Sequence, residues 1–288
     1  MSADQSKEQR SVSSKSSGRQ MSEHAARVIQ RVHINMPWSK LGNYLDLVLK
    51  HHFNLEIGLE AVDLDSISRL EVKRLARKLR DNGSRISLHG PFWDLSAGSP
   101  DPLIRQVTRL RFQQMFDLIA LFEPLQVVCH TGYDPRHHGS RWQSYLDHSL
   151  VLWEPLLERA EMMKVVLVLE NVWEESPQFH KELFANLRSP YLGFCLDVGH
   201  QHSFSKTPLE VWLEELSEHL REIHLHDNDG NQDAHLPIGQ GSIDFEQLFR
   251  FLKAKRLQPL LTLEPHRESH LFETLTNLAE LLVRMDFL

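Results

Sequence analysis

Eight short apolar runs alternate with longer amphipathic stretches from Arg27 to the C-terminus. Each run holds about four to eight β-branched or other apolar side chains, the pattern of a strand that is buried on both faces. The runs are RVIQRVHINM, NLEIGLEA, SRISLHG, LQVVCHTG, KVVLVLENV, YLGFCLDVGH, LREIHLHDND and PLLTLEPH. The pattern therefore predicts eight buried strands.

The segments between the runs carry leucines and other apolar residues at helical spacing. The clearest of them predict helices over 66–82, 102–122, 208–220 and 268–282. Alternation of strands and helices is typical of parallel strands with helical crossovers. Eight such units in about 262 residues predict an α/β fold, a single (β/α)8 TIM barrel. A doubly wound open sheet is less favoured, because no glycine-rich phosphate loop follows the first run.

The first residues of the chain differ in composition from the rest. Residues 1–25 are rich in Ser, Lys and Gln and contain almost no large apolar side chains. Such a segment buries too little apolar surface to offset the entropy lost on ordering. We predict a flexible polar tail over 1–25 and one barrel domain over 26–288.

Side chains that can bind metal ions stand at the ends of six consecutive runs and in the loop after the seventh. They are His89, His130, Glu170, Asp197, His200, His224, Asp233, His235 and Glu264. Because the carboxyl ends of parallel barrel strands share one face, we expect the strand-end residues to converge around one axis. Burying so many ionisable groups together would be very costly without bound cations.

Other polar residues near the strands are interpreted as parts of the fold. A single histidine in a strand is more often a hydrogen-bonded core residue than a ligand, and we assign His33 to the core on that ground. Asp227 and Asp229 fit the role of a helix cap or a turn.

Two site designs agree with the predicted ligands. A single ion held by Glu170, Asp197, His224 and Glu264 faces three carboxylates, which suits Mn²⁺ or Mg²⁺ and a neutral sugar. In a sugar isomerase or epimerase of this kind, Glu170 and Glu264 would also move a proton through an enediolate. The complete set adds imidazoles that favour Zn²⁺, and two or three zinc ions suit a phosphodiester. A non-catalytic barrel is least favoured, since unused buried carboxylates would destabilise it.

The overall composition narrows the classes of partner and compartment. Thirty-two basic and 39 acidic residues give a net charge of −7, which argues against a protein that coats nucleic acid. It does not exclude an enzyme that acts on phosphates through metal ions, and DNA is a possible but not favoured substrate. No apolar stretch approaches ~18 residues and the N-terminus is polar, so we expect neither a membrane span nor a secretory signal. The two cysteines lie in apolar runs and indicate buried free thiols in the cytoplasm.

The segments that carry these ligands resemble a known family. SLHGPF, VVCHTGY, LVLENV, CLDVGH, IHLHDND, QDAHLPIGQGSIDF and LTLEPH are similar to the xylose isomerase-like barrel superfamily, and within it to the endonuclease IV branch, AP endonuclease family 2. The resemblance covers about residues 28–285. Its most specific parts are a D-x-x-H pair at Asp197 and His200 and a D-x-H pair at Asp233 and His235, followed by G-x-G-x-I.

The resemblance implies three zinc ions and an in-line attack of activated water on phosphorus. It assigns the ligands to three groups: His89, His130 and Glu170; Glu170, Asp197, His224 and Glu264; and His200, Asp233 and His235. Glu170 would bridge two ions, and we assign catalysis to Glu170 and Glu264. His224 is preferred over His226 because H-L-x-D matches the family pattern, but His226 lies on the same strand face, nearer the rim.

The segment HGPFWDLSAGSPDPLIRQVTRLR and a short Asp-Pro-Arg loop look like a subgroup of cobamide-remodelling phosphodiesterases, which open the nucleotide loop of corrinoids. This similarity implies a small nucleotide-like phosphodiester as substrate, and the DNA-inserting loops of other members are not identifiable. The candidate substrate-binding residues are His226, Phe92, Trp93, Tyr133, Arg136 and Trp173. The alternative interpretation of these rings, and of Trp38 and Trp142, is that they pack helices onto the barrel.

Overall fold

The computed structural model describes residues 23–287, with side chains described from residue 25. Eight parallel strands form a closed barrel in which each strand pairs with its neighbours in chain order and the last pairs with the first. The strands are β1 (Val32–Pro37), β2 (Asn54–Gly58), β3 (Ile86–His89), β4 (Gln126–His130), β5 (Val166–Glu170), β6 (Leu192–Asp197), β7 (Leu220–Leu225) and β8 (Leu260–Leu263). The predicted (β/α)8 barrel is confirmed, and the open sheet is excluded by closure between β8 and β1.

The helices surround this barrel. They are α1 (Glu23–Ile29), α2 (Trp38–His51), α3 (Ala61–Ser66), α4 (Arg69–Asp81), α5 (Pro102–Phe116), α6 (Ile119–Phe122), α7 (Pro135–His138), α8 (Trp142–Met163), α9 (Gln178–Asn186), α10 (Val198–Phe204), α11 (Leu209–Leu216), α12 (Phe245–Lys255) and α13 (Glu268–Arg284). A 3₁₀ turn spans Gly139–Arg141. None of the described helices has the length and hydropathy that crossing a bilayer requires.

Local capping explains where two of the predicted helices begin, and one predicted helix is divided in two. The helix predicted from residue 66 begins at Arg69, because the Ser68 hydroxyl accepts a hydrogen bond from a first-turn backbone N–H. The helix predicted over 102–122 is two helices, α5 and α6, separated at Asp117 and Leu118. Its start at Pro102 is correct, since Asp101 caps the Leu103 N–H at 2.8 Å.

The first predicted strand starts too early. Residues 27–29 belong to α1, and β1 begins only at Val32. Ala25, Val28 and Ile29 are all buried, and their spacing of three and four residues is that of a helix face. The run predicted from Arg27 merged this helix end with the strand that follows. Most of the predicted tail, residues 1–22, lies outside the described residues.

Several predicted core residues are buried as expected. Cys129 and Cys195 are buried free thiols. His33 is fully buried, and its Nδ1 lies 2.8 Å from Ser87 Oγ. Burial lowers the pKa of His33 to about 4, so the ring stays neutral in the core.

Candidate metal centre

A first group of ligands forms at the adjacent ends of β3, β4 and β5. His89 Nε2 lies 3.1 Å from Glu170 Oε2, and His130 Nε2 lies 3.2 Å from the same oxygen. The parallel register places His130 and Glu170 directly side by side. Their donor atoms all lie within 4.8 Å of one another, a spacing that allows one ion to be shared.

A second group lies around the fully buried His224 ring. Nδ1 of His224 is 3.3 Å from Glu264 Oε1, 3.6 Å from Glu170 Oε1 and 3.8 Å from Asp197 Oδ2. Asp197 and His224 are paired in the register of β6 and β7. Three carboxylates, at the ends of β5 and β6 and just after β8, therefore surround one imidazole nitrogen.

A third group involves the loop after β7. Asp233 Oδ2 lies 3.0 Å from His235 Nε2 and 3.4 Å from His200 Nε2. His200 belongs to α10, whose first turn is capped when Asp197 accepts the His200 backbone N–H at 2.7 Å. The D-x-x-H spacing thus places the imidazole beside the aspartate that caps its helix. With this group, the structure brings all nine predicted ligands to one end of the barrel.

Glu170 connects these groups through its two oxygens. Oε2 faces His89 and His130, whereas Oε1 lies 3.2 Å from His200 Nδ1 and 3.6 Å from His224 Nδ1. A carboxylate with its oxygens directed to different ligand groups has the geometry required to bridge two ions.

The electrostatics keep the central carboxylates ionised. Burial acts to raise the pKa of Glu170, but His130 and His224 hold it well below its usual range. Burial opposes a low pKa of Asp197 too, yet His200 and His226 lower it to about 2. Burial lowers the pKa of His89, but its hydrogen bond to Glu170 outweighs this and raises it to about 9. A cation bound here must therefore displace a proton from His89.

Several buried nitrogen and oxygen atoms of the site lack hydrogen-bond partners, as expected of atoms that bind metal ions. Among the described residues, His224 Nδ1, His226 Nδ1 and Asp233 Oδ1 are buried and have no hydrogen-bond partner. Buried polar atoms are almost always paired, so three unpaired atoms within the predicted ligand groups call for another partner. Imidazole nitrogen and carboxylate oxygen are ligands that Zn²⁺ prefers, and the site fits such ions.

Residues 52–285 match the family model described as a xylose isomerase-like TIM barrel. The chain belongs to this family. An uncharacterized protein of Methanocaldococcus jannaschii, MJ1311, is 27% identical over 234 residues, covering 78% of each chain. The structure of the TTHB071 protein from Thermus thermophilus, soaked with ZnCl2, is 26% identical with a TM-score of 0.70, covering 88% of this chain and 97% of that one.

A D-tagatose 3-epimerase-like protein has the same fold as this family member. Its structure superposes with a TM-score of 0.78 at 24% identity, covering 88% of this chain and 98% of that one. D-psicose 3-epimerase from Clostridium cellulolyticum H10, solved with D-tagatose, gives a TM-score of 0.73 at 15% identity, with 88% and 99% coverage. At these identities, the likeness establishes the barrel fold alone.

His226 lies between the second and third groups and is almost fully buried. Its Nε2 is 3.1 and 3.2 Å from the two carboxylate oxygens of Asp197, and its ring stacks on His235 at 3.7 Å. His266, which sequence reasoning missed, extends this stack at 3.5 Å. The structure thus places His226 against the predicted ligands, and His224 Nδ1 is the nitrogen that faces three carboxylates.

The G-x-G-x-I motif of this family member is built around Asp227. The Asp227 carboxylate accepts backbone N–H groups from Gly239 at 2.8 Å, Gly241 at 2.9 Å and Ile243 at 3.2 Å. A Cβ on Gly241 would lie 2.2 Å from a backbone oxygen, so glycine is needed there. Asp229 accepts the Asn231 N–H at 3.0 Å in a turn. Asp229 therefore has the predicted turn role, whereas Asp227 pairs with Leu236 and holds the distant glycine loop instead of a local turn.

The predicted substrate-binding aromatic residues are divided between the cavity and the core. A cavity of about 1160 Å³ opens beside the candidate ligands, and Phe92, Trp93 and Trp173 line it. Tyr133 instead stacks on Phe179 at 4.3 Å. Arg136 is held by Asp134 at 2.7 Å, and its guanidinium lies 4.3 Å from the Trp173 ring centre. Trp38 and Trp142 pack partly buried against the hydrophobic core, as the alternative interpretation has it.

Two buried glutamates near the metal centre were also missed. Glu56 on β2 and Glu222 on β7 are fully buried inside the barrel. A signal was present, because Glu222 and His224 are two residues apart on one strand and must share a face. Glu56 is likewise the only charged residue within the five residues of β2.

Gly199 packs closely against His226, so a larger side chain at this position should destabilise the fold. A Cβ on Gly199 would lie 1.9 Å from His226 Cε1, and that ring is confined by burial. We expect Gly199→Ala to lower the free energy of unfolding by about 1–3 kcal/mol, because overpacking displaces His226. Urea denaturation provides the measurement.

Gly42→Ala is the matched control for this substitution. Gly42 lies within α2, and no atom lies within 4 Å of the position that a Cβ would take there. Alanine at this position should stabilise the chain by about 0.5–1 kcal/mol. Equal effects of the two substitutions would contradict the packing argument.

Proposed function

We propose that this protein is a metal-dependent hydrolase of small phosphodiesters that uses two or three zinc ions. The observation that carries the proposal is the pair of ligand groups that flank the central one. His89 and His130 approach Glu170 from one side, and His200, Asp233 and His235 gather on the other. These flanking groups have no evident role in a site that holds one ion.

The donor chemistry favours zinc over a harder cation. Mn²⁺ and Mg²⁺ prefer oxygen ligands, whereas five of the nine predicted ligands are histidines. The positive charge of three divalent ions would also exceed the negative charge of the four carboxylates in the set. The centre would then attract an anionic phosphodiester. The relative from Thermus thermophilus that was soaked with ZnCl2 supports this choice.

The chain's own residues would have distinct roles in hydrolysis. Bound zinc supplies Lewis-acid stabilisation of the charge that develops at phosphorus and on the leaving oxygen. Glu170 and Glu264 are the proposed catalytic carboxylates, and each would hold the central group in place through both of its oxygens. His224 lies between them, 3.6 Å from Glu170 and 3.3 Å from Glu264.

We infer a nucleotide-like substrate, such as the nucleotide loop of a cobamide, from the walls of the cavity. Phe92 stacks on His130 at 4.6 Å and contacts Trp93 at 5.0 Å, so an aromatic surface leads down to the first ligand group. Aromatic surfaces of this kind stack on planar rings. DNA is a less favoured substrate, because the net charge of −7 provides no general attraction for a polyanion.

A sugar isomerase or epimerase is the alternative, and it also has a specific observation in its favour. Glu170 and Glu264 approach His224 Nδ1 from different parts of the barrel. In this arrangement one ion could hold a sugar while the two carboxylates transfer a proton through an enediolate. The structural relatives that act on D-psicose and resemble D-tagatose 3-epimerase agree with this alternative.

Metal analysis of the purified chain distinguishes the two functions. We expect two to three zinc ions per chain by elemental mass spectrometry, and one Mn²⁺ or Mg²⁺ per chain would contradict the hydrolase. A second assay presents corrinoids, abasic DNA and ketohexoses to the loaded enzyme. Consumption of a corrinoid or another phosphodiester supports the proposal, and turnover of a ketohexose alone supports the alternative.

A further inference from the structure

A second layer of carboxylates lies inside the barrel, on the side of His224 that faces away from the central ligands. His224 Nε2 is 3.4 Å from Glu56 Oε2 and 3.9 Å from Glu222 Oε1. Both glutamates and the ring are fully buried. The two nitrogens of this imidazole therefore face different sets of acids, and only the Nδ1 set belongs to the predicted metal centre.

The two inner glutamates differ in their remaining partners. Glu222 accepts hydrogen bonds from the Gln126 side-chain amide and from the Thr262 hydroxyl. Glu56 accepts one from Asn35 at 3.0 Å through Oε1, and its Oε2 has no hydrogen-bond partner among the described residues. Nε2 of His224 is unpaired in the same sense. Glu56 Oε2 and His224 Nε2 are thus the available partners for each other.

We propose that Glu56 is a positioning residue that accepts a hydrogen bond from the Nε2–H of His224 and so keeps the Nδ1 lone pair free to bind a metal ion. This inference rests on the metal centre of the proposed function. A neutral imidazole carries its proton on one nitrogen only, and the hydrogen bond at one nitrogen decides which nitrogen can act as the ligand.

The need for such a residue follows from the charges on the ligand side. Glu170, Asp197 and Glu264 all face Nδ1 and would attract the ring proton to that nitrogen. A proton on Nδ1 would block metal binding there. A carboxylate at Nε2 opposes this, holds the ring in one orientation and makes the ligand nitrogen more basic.

Zinc affinity of the full chain tests the inference. We expect Glu56→Gln, which keeps the shape of the side chain, to weaken zinc binding by about 10–100-fold, the usual effect of removing a partner that orients a ligand. Competition with a chelator of known affinity measures this change. Glu222→Gln is the matched control, since Glu222 is buried in the same layer but already has two other partners; its effect should stay well below about tenfold. Melting temperatures of the metal-free variants show whether both remain folded.

The tautomer of His224 gives a second measurement that requires no change at Glu56. In ¹⁵N spectra of the metal-free wild-type chain, assigned with a His224→Gln variant and recorded at a pH where the ring is neutral, we expect the proton on Nε2. A proton on Nδ1, or zinc affinity unchanged by Glu56→Gln, would overturn the role of Glu56 while leaving the metal centre intact. A wild-type chain that binds no divalent metal would overturn the proposed function and this inference together.

Discussion

Replacing His89 by alanine should abolish phosphodiester cleavage and remove one zinc ion per chain. His89 and His130 are the two imidazoles of the first group, and both contact one oxygen of Glu170. Without His89 that group keeps one nitrogen and a carboxylate shared with the central group. Loss of an ion that contributes several kcal/mol to the transition state lowers kcat/KM by about 10³-fold or more, at 1.36 kcal/mol per tenfold.

The measurement pairs kcat/KM on a chromogenic phosphodiester with the zinc content of each purified variant. His219→Ala is the control, because His219 precedes β7 at the opposite end of the barrel and stacks on Phe184 at 4.4 Å. It should keep its zinc and its activity. Phosphodiesterase activity that survives His89→Ala would mean that the first group is not needed. Retained epimerase activity in that variant would favour a single ion at the central group.

The fold and the predicted ligands were accessible from sequence because both depend on local regularities. Buried parallel strands are apolar along their whole length, so a polar residue such as His130 or Glu170 at the end of one stands out. Closure of the barrel then brings these ends together without any knowledge of side-chain contacts. Asp197 and His200 are close for a local reason: Asp197 caps the helix that carries His200.

What escaped prediction depends on contacts between residues far apart in the chain. Glu56 is identifiable as part of the centre only once β2 is known to lie across the barrel from His224, 168 residues away. Arg136 was a candidate for substrate binding, and nothing in its local sequence indicates that Asp134 and Trp173 occupy its guanidinium. The start of β1 was misplaced because a short buried helix end and a strand have similar apolar composition.

Zinc should stabilise the chain strongly against unfolding, and removing zinc should lower the melting temperature. The buried carboxylates of Glu170 and Asp197 lie against imidazoles, and bound zinc would supply positive charge beside them. A ligand that binds only the folded state adds about 2.7 kcal/mol per site at a concentration 100 times its dissociation constant. For a chain of this size, each kcal/mol raises the melting temperature by about 2–4 °C, so one filled site contributes about 5–10 °C.

The dependence of the free energy of unfolding on the free zinc concentration gives the number of bound ions. Above saturation, each bound ion adds about 1.4 kcal/mol to the free energy of unfolding for every tenfold rise in free zinc. Urea denaturation in zinc buffers should therefore give about 2.8–4.2 kcal/mol per tenfold for two or three ions, and about 1.4 for a single-ion epimerase site. His89→Ala should lower the wild-type slope by one such increment, whereas His219→Ala should leave it unchanged. Zinc binding by histidines in the unfolded chain reduces every slope, but this contribution is nearly the same in both variants because each has lost one histidine. Equal slopes for these two variants would mean that His89 holds no ion, whatever the activity assays show.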